Sequence, residues 1–143
     1  MADDHKIKVA IVGYGVIGSR TATAISQQSD MILSGVADVA TDWRIAQIIS
    51  QGIALFAATA EASAAMEAAG LPTNGLLTDL VESSDIIVDC TPKHRGAENA
   101  ELYRKLDRPF IVQGGEKHDV TGHSFVAETS YSSTIGRSAT RVV

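Results

Sequence analysis

The chain has 143 residues, a net charge of −5 and 45% hydrophobic residues, which is enough for one domain with a real core and the wrong sign for a nucleic-acid surface. Its one cysteine, Cys90, excludes an internal disulfide framework or a Cys-x-x-Cys metal site and suits a reducing compartment. No apolar run approaches the roughly 18 residues that span a bilayer, and the polar, acidic start Met1-Ala2-Asp3-Asp4-His5 is unlike a signal peptide, so a cytoplasmic protein is expected.

Lys6 to Val12 reads as a first strand, almost wholly apolar, as a parallel strand covered on both faces should be. It stops at Gly13-Tyr14-Gly15-Val16-Ile17-Gly18, after which Ile17, Thr21, Ala24 and Ile25 recur at helical spacing. Met31 to Ala37 is a second strand, ending at Asp38. Thr41 or Asp42 caps a helix from Trp43 to Gln51 with Ile45, Ile48 and Ile49 inward, and Gly52 stops it. Ile53 to Phe56 is a short third strand. Thr59 or Glu61 opens an alanine-rich helix ending at Gly70, and Thr78 caps a helical turn from Asp79 to Glu82.

Asp85 to Cys90 is a buried strand that Thr91-Pro92 terminates. Gly96 to Leu106 is a helix with Asn99, Leu102, Tyr103 and Leu106 inward and Glu101 placed to pair with Lys105. Phe110 to Val112 is a strand running into Gln113-Gly114-Gly115-Glu116-Lys117-His118. Ser124 to Ala127 and Thr140 to Val143 are later strands around a turn or helix near Tyr131. Strands alternating with helices predict one α/β domain, a Rossmann-type doubly wound parallel sheet.

Strand, glycine turn and helix start form the pattern that receives the pyrophosphate of a dinucleotide. Gly13 permits the tight turn, Gly15 lets phosphate approach bare backbone, and Gly18 lets the helix pack against the strand. Asp38 follows the last glycine by about 20 residues, where a carboxylate receives the adenosine ribose. Thr91-Pro92 and Gly114-Gly115 follow further strands, so all these residues gather at the carboxyl ends, where ligands of such sheets bind. Asp38 favours NAD over NADP, since a carboxylate repels a 2′-phosphate; Arg44 and Arg20 are the two cations able to offset it. Cys90 reads as a small core residue and Trp43 and Tyr103 as packing residues. His5, His94 and His123 read as solvated, and no residues have metal-ligand spacing. Glu116-Lys117-His118 reads as a polar loop rather than a catalytic cluster.

Several segments together resemble the archaeal-type (class II) phosphorylating glyceraldehyde-3-phosphate dehydrogenases: GYGVIGSR at 13–20, SDIIVDCTP at 84–92, ELY at 101–103, VQGGEKH at 112–118, SF at 124–125 and RVV at 141–143. The resemblance implies that residues 1–143 are the NAD(P)-binding domain and that the catalytic domain is absent from this chain. In the family RVV runs into Ser-Cys-Asn-Thr-Thr, whose cysteine carries the substrate thioester. No catalytic residue is therefore expected here, and the chain alone should be inactive. Val16 and Ile17 match dinucleotide contacts in the turn, Gly115 a contact in QGG, and Thr91 and Pro92 the strand end beside the cofactor. Two positions depart: Val12 stands where members have asparagine, and Asp38 where several have lysine. The intact enzyme would be a homotetramer. The alternatives are the cofactor domain of a semialdehyde, homoserine or diaminopimelate dehydrogenase, a free-standing dinucleotide-binding module, or a methyltransferase, which an Asp-x-Gly-x-Gly turn would favour, whereas Val12 precedes Gly13 here.

Overall fold

The computed structural model describes residues 5–113 and 115–143. Seven parallel strands form one sheet in the order β3-β2-β1-β4-β5-β7-β6. The strands are β1 (Ile7–Val12), β2 (Met31–Asp38), β3 (Leu55–Ala57), β4 (Ile86–Asp89), β5 (Phe110–Gln113), β6 (Ser124–Phe125) and β7 (Ala139–Val142). The helices are α1 (Val16–Ser26), α2 (Trp43–Ser50), α3 (Ala60–Ala68), α4 (Leu77–Glu82), α5 (Arg95–Lys105), α6 (His118–Thr121) and α7 (Ala127–Ser130), with a 3-10 turn at Tyr131–Thr134. The expected doubly wound parallel sheet is present. Among the described residues no helix is long and apolar enough to cross a membrane.

The alternation of β1 divides the core between the two faces of the sheet. Val9 and Ile11 point into a layer with Ala22 and Ile25 of α1, Ile45 and Ile48 of α2, and Ala62 and Met66 of α3. Ala10 and Val12 point into the opposite layer, with Leu80 and Val81 of α4 and Ala100 and Tyr103 of α5. The register sets Val12 beside Ala37 on one side and Asp89 on the other. The carboxyl ends of β1, β2 and β4 are therefore level, and they make the floor on which a ligand would rest.

Local details differ from the sequence reading in instructive ways. Helix α1 buries Gly18, Ala22 and Ile25, whereas Ile17 and Ala24 are exposed. The reason is the closeness of α1 to β1: a Cβ on Gly18 would stand 1.9 Å from the Gly13 carbonyl oxygen. The contact face therefore runs i, i+4, i+7 from the glycine rather than from Ile17. Trp43 is 73% exposed rather than packed, because it lies two positions before the buried Ile45, about 200° around the helix. Asp42 caps α2 and Thr59 caps α3, each accepting from a backbone N–H of its first turn. Thr78 does not cap α4, which starts at Leu77; instead Asp79 accepts from the Leu76 N–H at 2.7 Å.

Glu101 and Lys105 are not among the ion pairs of the described residues; on α5 the pair is Arg95–Glu98, 3.0 Å apart. The strand expected at Ser124 to Ala127 ends at Phe125, and Ala127 opens a helical turn. His123 is half-buried rather than solvated, with Nδ1 2.8 Å from the Thr140 hydroxyl and Nε2 3.0 Å from that of Ser133.

Candidate functional site

A cleft with a volume of about 450 Å³ opens over the ends of β1, β2 and β4, within the size range of small-ligand pockets. Its floor is tied together by backbone. The Gly13 N–H donates to the Ala37 carbonyl at 2.8 Å, and the Cys90 N–H to the Val12 carbonyl at 2.7 Å. Gly13 has φ +86°, and a Cβ there would press on the Cys90–Thr91 backbone at 3.1 Å. Both conditions select glycine. Gly15, the N-cap of α1, has an ordinary φ of −77° and nothing within 4 Å of a built Cβ. Its lack of a side chain therefore serves the space above the turn rather than the fold, and the unpaired N–H groups of the first turn of α1 begin at that space.

Asp38 closes one wall of the cleft. Its Oδ2 accepts from the Tyr14 N–H at 2.6 Å, and its Oδ1 accepts from the Val39 and Ala40 N–H groups at 2.7 and 2.9 Å. The carboxylate thus joins the glycine turn to the loop after β2. An ionised carboxylate has about four lone-pair sites, so one stays available to a ligand hydroxyl. Arg44 lines the same wall and is held by Asp42, Nη2 to Oδ2 at 2.6 Å and Nε to Oδ1 at 3.1 Å. The Arg44 guanidinium holds the Asp42 carboxyl below its ordinary range. Arg20 is not among the lining residues.

The opposite wall comes from Cys90, Thr91, Pro92, Arg95 and Asn99. It is organised by Asp89, which is fully buried and has no cationic partner among the described residues. Asp89 accepts from the Thr91 N–H and hydroxyl, from Asn99 Nδ2 at 2.9 Å and from the Tyr103 hydroxyl at 2.6 Å. Burial, and then the Asp89 charge, push the Cys90 thiol up to about 12. That leaves it protonated and unreactive at neutral pH, as suits a packing residue. The same two causes raise the Tyr103 phenol, which stays a donor.

Of the residues singled out in the sequence, Gly13, Tyr14, Gly15, Asp38, Thr91 and Pro92 line this cleft together. Gly18 lies in the helix–strand contact beneath it. Val16 and Ile17 are on the outer side of the first turn of α1, 66% and 50% exposed and outside the lining. Gly115 is also outside the lining, with the Lys93 stem across it, and Gly114 lies outside the described residues. Glu116 is buried and accepts from the Gly96 N–H at 3.1 Å, satisfying the first turn of α5. The sequence reading places it in a polar loop with Lys117 and His118, whereas its side chain is buried against α5. Sequence reasoning missed Asp89, Arg95 and Thr59. The available signal for Asp89 was a carboxylate closing the otherwise apolar Ile86-Ile87-Val88 run. Among the described residues no group of three or more His, Cys, Asp or Glu could hold a metal ion.

Strand order, glycine turn and cleft define a Rossmann-type domain of the kind found in dehydrogenases. The chain belongs to the dihydrodipicolinate reductase N-terminus family, whose model matches residues 7–119. Among its homologues are archaeal glyceraldehyde-3-phosphate dehydrogenases. It is 42% identical to that of Methanothermobacter thermautotrophicus over 96% of this chain, and 44% identical to that of Thermococcus kodakarensis, also over 96%. It spans 41% of the length of each of these relatives. Among solved structures it is similar to the WlbA dehydrogenase from Bordetella pertussis in complex with NADH and UDP-GlcNAcA. That match has a TM-score of 0.55 and 22% identity, over 78% of this chain and 29% of that one. It is also similar to apo scyllo-inositol dehydrogenase from Lactobacillus casei, with a TM-score of 0.53 and 16% identity, over 97% of this chain and 36% of that one. These structural likenesses establish the fold.

Proposed function

We propose that this chain is the NAD-binding domain of a cytoplasmic phosphorylating glyceraldehyde-3-phosphate dehydrogenase. The observation that carries the reading is the convergence of an open Gly15 turn and a ligand-ready Asp38 on one cleft, in a chain 42–44% identical to enzymes of that name. The residues fit the cofactor. Gly13, Tyr14 and Gly15 would take the pyrophosphate, Asp38 the adenosine ribose hydroxyls, and Thr91 and Pro92 the nicotinamide half. Gly115 lies in the segment after β5 that would meet a second, catalytic domain, and Val16 and Ile17 flank the turn. When bound, the cofactor accepts hydride from the aldehyde carbon.

This domain binds and orients, and it holds the nicotinamide end toward the partner domain. The thiol that attacks the aldehyde and the groups that admit inorganic phosphate belong to that second domain, so the 143-residue chain alone is inactive. The intact enzyme is a homotetramer. Asp38 makes NAD the preferred cofactor: repulsion of a 2′-phosphate, screened at an open cleft, weakens NADP by about 10- to 100-fold.

Calorimetric titration of the chain with NAD and NADP, beside a turnover assay with glyceraldehyde 3-phosphate, phosphate and NAD, tests the reading. NAD binding without turnover is the expected result. Absence of NAD binding overturns the cofactor assignment, and robust turnover overturns the division of labour.

A further inference from the structure

We infer that Asp42 is a specificity-determining residue of the cleft, acting by withholding Arg44 from the 2′ position of the adenosine ribose. The inference rests on the dinucleotide reading above. Three observations carry it. Arg44 lines the cleft on the wall that Asp38 closes, and it is the cation on that wall. Its guanidinium is engaged by both carboxylate oxygens of Asp42, through Nε to each and through Nη2 to Oδ2. The pair is half-exposed, with side-chain exposures of 43% and 40%, so water and a ligand both reach it.

A guanidinium is a planar fork that binds carboxylate and phosphate oxygens in the same bidentate manner. Asp42 and a 2′-phosphate would therefore compete for one donor set. While Asp42 holds it, Arg44 contributes little against the repulsion from Asp38. Exposed ion pairs are weak, so the withholding is a bias rather than a lock, and removing it moves the NAD/NADP ratio by a small, measurable factor.

Asp42 also caps α2 by accepting from the Arg44 N–H at 3.0 Å. Asparagine caps as well as aspartate, so Asp42→Asn removes the charge and keeps the helix. The test titrates NAD and NADP calorimetrically into the parent chain, Asp42→Asn, and Asp42→Asn combined with Arg44→Gln, with circular dichroism confirming α2. In Asp42→Asn, NADP binding tightens by about two- to five-fold with NAD unchanged, and the added Arg44→Gln abolishes the gain.

An unchanged NADP affinity in Asp42→Asn, with NAD still bound, overturns the inference alone. A gain that survives Arg44→Gln also overturns it, because the effect is then loss of the Asp42 charge and not release of the arginine. Failure of the parent to bind NAD removes the cofactor reading and the inference with it.

Discussion

The Tyr103 hydroxyl donates a 2.6 Å hydrogen bond to Asp89 Oδ2, and both residues are fully buried. This bond ties the last turn of α5 to the last residue of β4, beside the Thr91–Pro92 wall of the cleft. Asn99 and Thr91 complete the carboxylate's donors. A buried carboxylate without a cation persists when hydrogen bonds replace its water, and here those bonds shape one wall of the cleft.

Asp89→Ala orphans the donors of Tyr103, Asn99 and Thr91, with an expected stability loss of about 3–5 kcal/mol. Tyr103→Phe deletes one bond and no volume, costing about 1–2 kcal/mol. Urea unfolding followed by circular dichroism checks both. Trp43 fluorescence is a poor probe because its ring is already in water. Equal losses in the two variants would show that the network is not centred on Asp89.

Two glycines of the same turn should respond in opposite ways. Gly18→Ala drives a methyl into the Gly13 carbonyl oxygen and should destabilise the fold by about 2–4 kcal/mol. Gly15→Val meets open space in the folded chain, so its melting temperature should be near that of the parent, while NAD affinity falls at least about tenfold. A folded Gly15→Val chain with parental affinity would take the turn out of the site.

Cys90 supplies a pH signature. Its thiol moves from an ordinary value of 9.0 to about 12 in the fold. Above pH 9 the unfolded thiol ionises while the folded one keeps its proton, so the unfolded state binds fewer protons and stability falls as pH rises through about 12. Cys90→Ala should flatten that decline in denaturation curves. Alkylation of the native chain at pH 7 should be slow and should become fast in denaturant.

Asp38→Lys should improve NADP binding, but not cleanly. The lysine leaves the Tyr14, Val39 and Ala40 N–H groups without their acceptor, a loss of about 1–3 kcal/mol at this half-buried position. Titration paired with thermal melts should find gained NADP affinity in a less stable chain. A parental melting temperature would show that water substitutes fully for the carboxylate.

The parallel sheet and the cleft's glycine side were legible because their signals are local. An apolar run, a φ-positive turn at Gly13 and a carboxylate closing β2 each lie within a few neighbours in sequence. What escaped depends on residues far apart. Nothing near Glu116 shows that it will meet the Gly96 N–H, or that Asp89 will collect donors from α5. Periodicity found the isoleucines of α2 but not Trp43's outward position, which follows from its angle to Ile45. It also misplaced the face of α1, because there the closest approach of two backbones at Gly18 decides the contact, and side-chain hydrophobicity does not.

The placing of β7 between β5 and β6 orders events during synthesis. Among the described residues β6 pairs only with β7, through Ser124–Arg141 and Phe125–Val142, so it is synthesised before its partner. Until Ala139–Val142 follows, the nascent sheet ends at β5, and the edge of Phe110–Gln113 stays open. An open parallel edge is a template for strands of other chains. Strand β7 therefore both recruits β6 and covers the β5 edge, and any delay in its docking prolongs the interval in which strands of other chains can pair there.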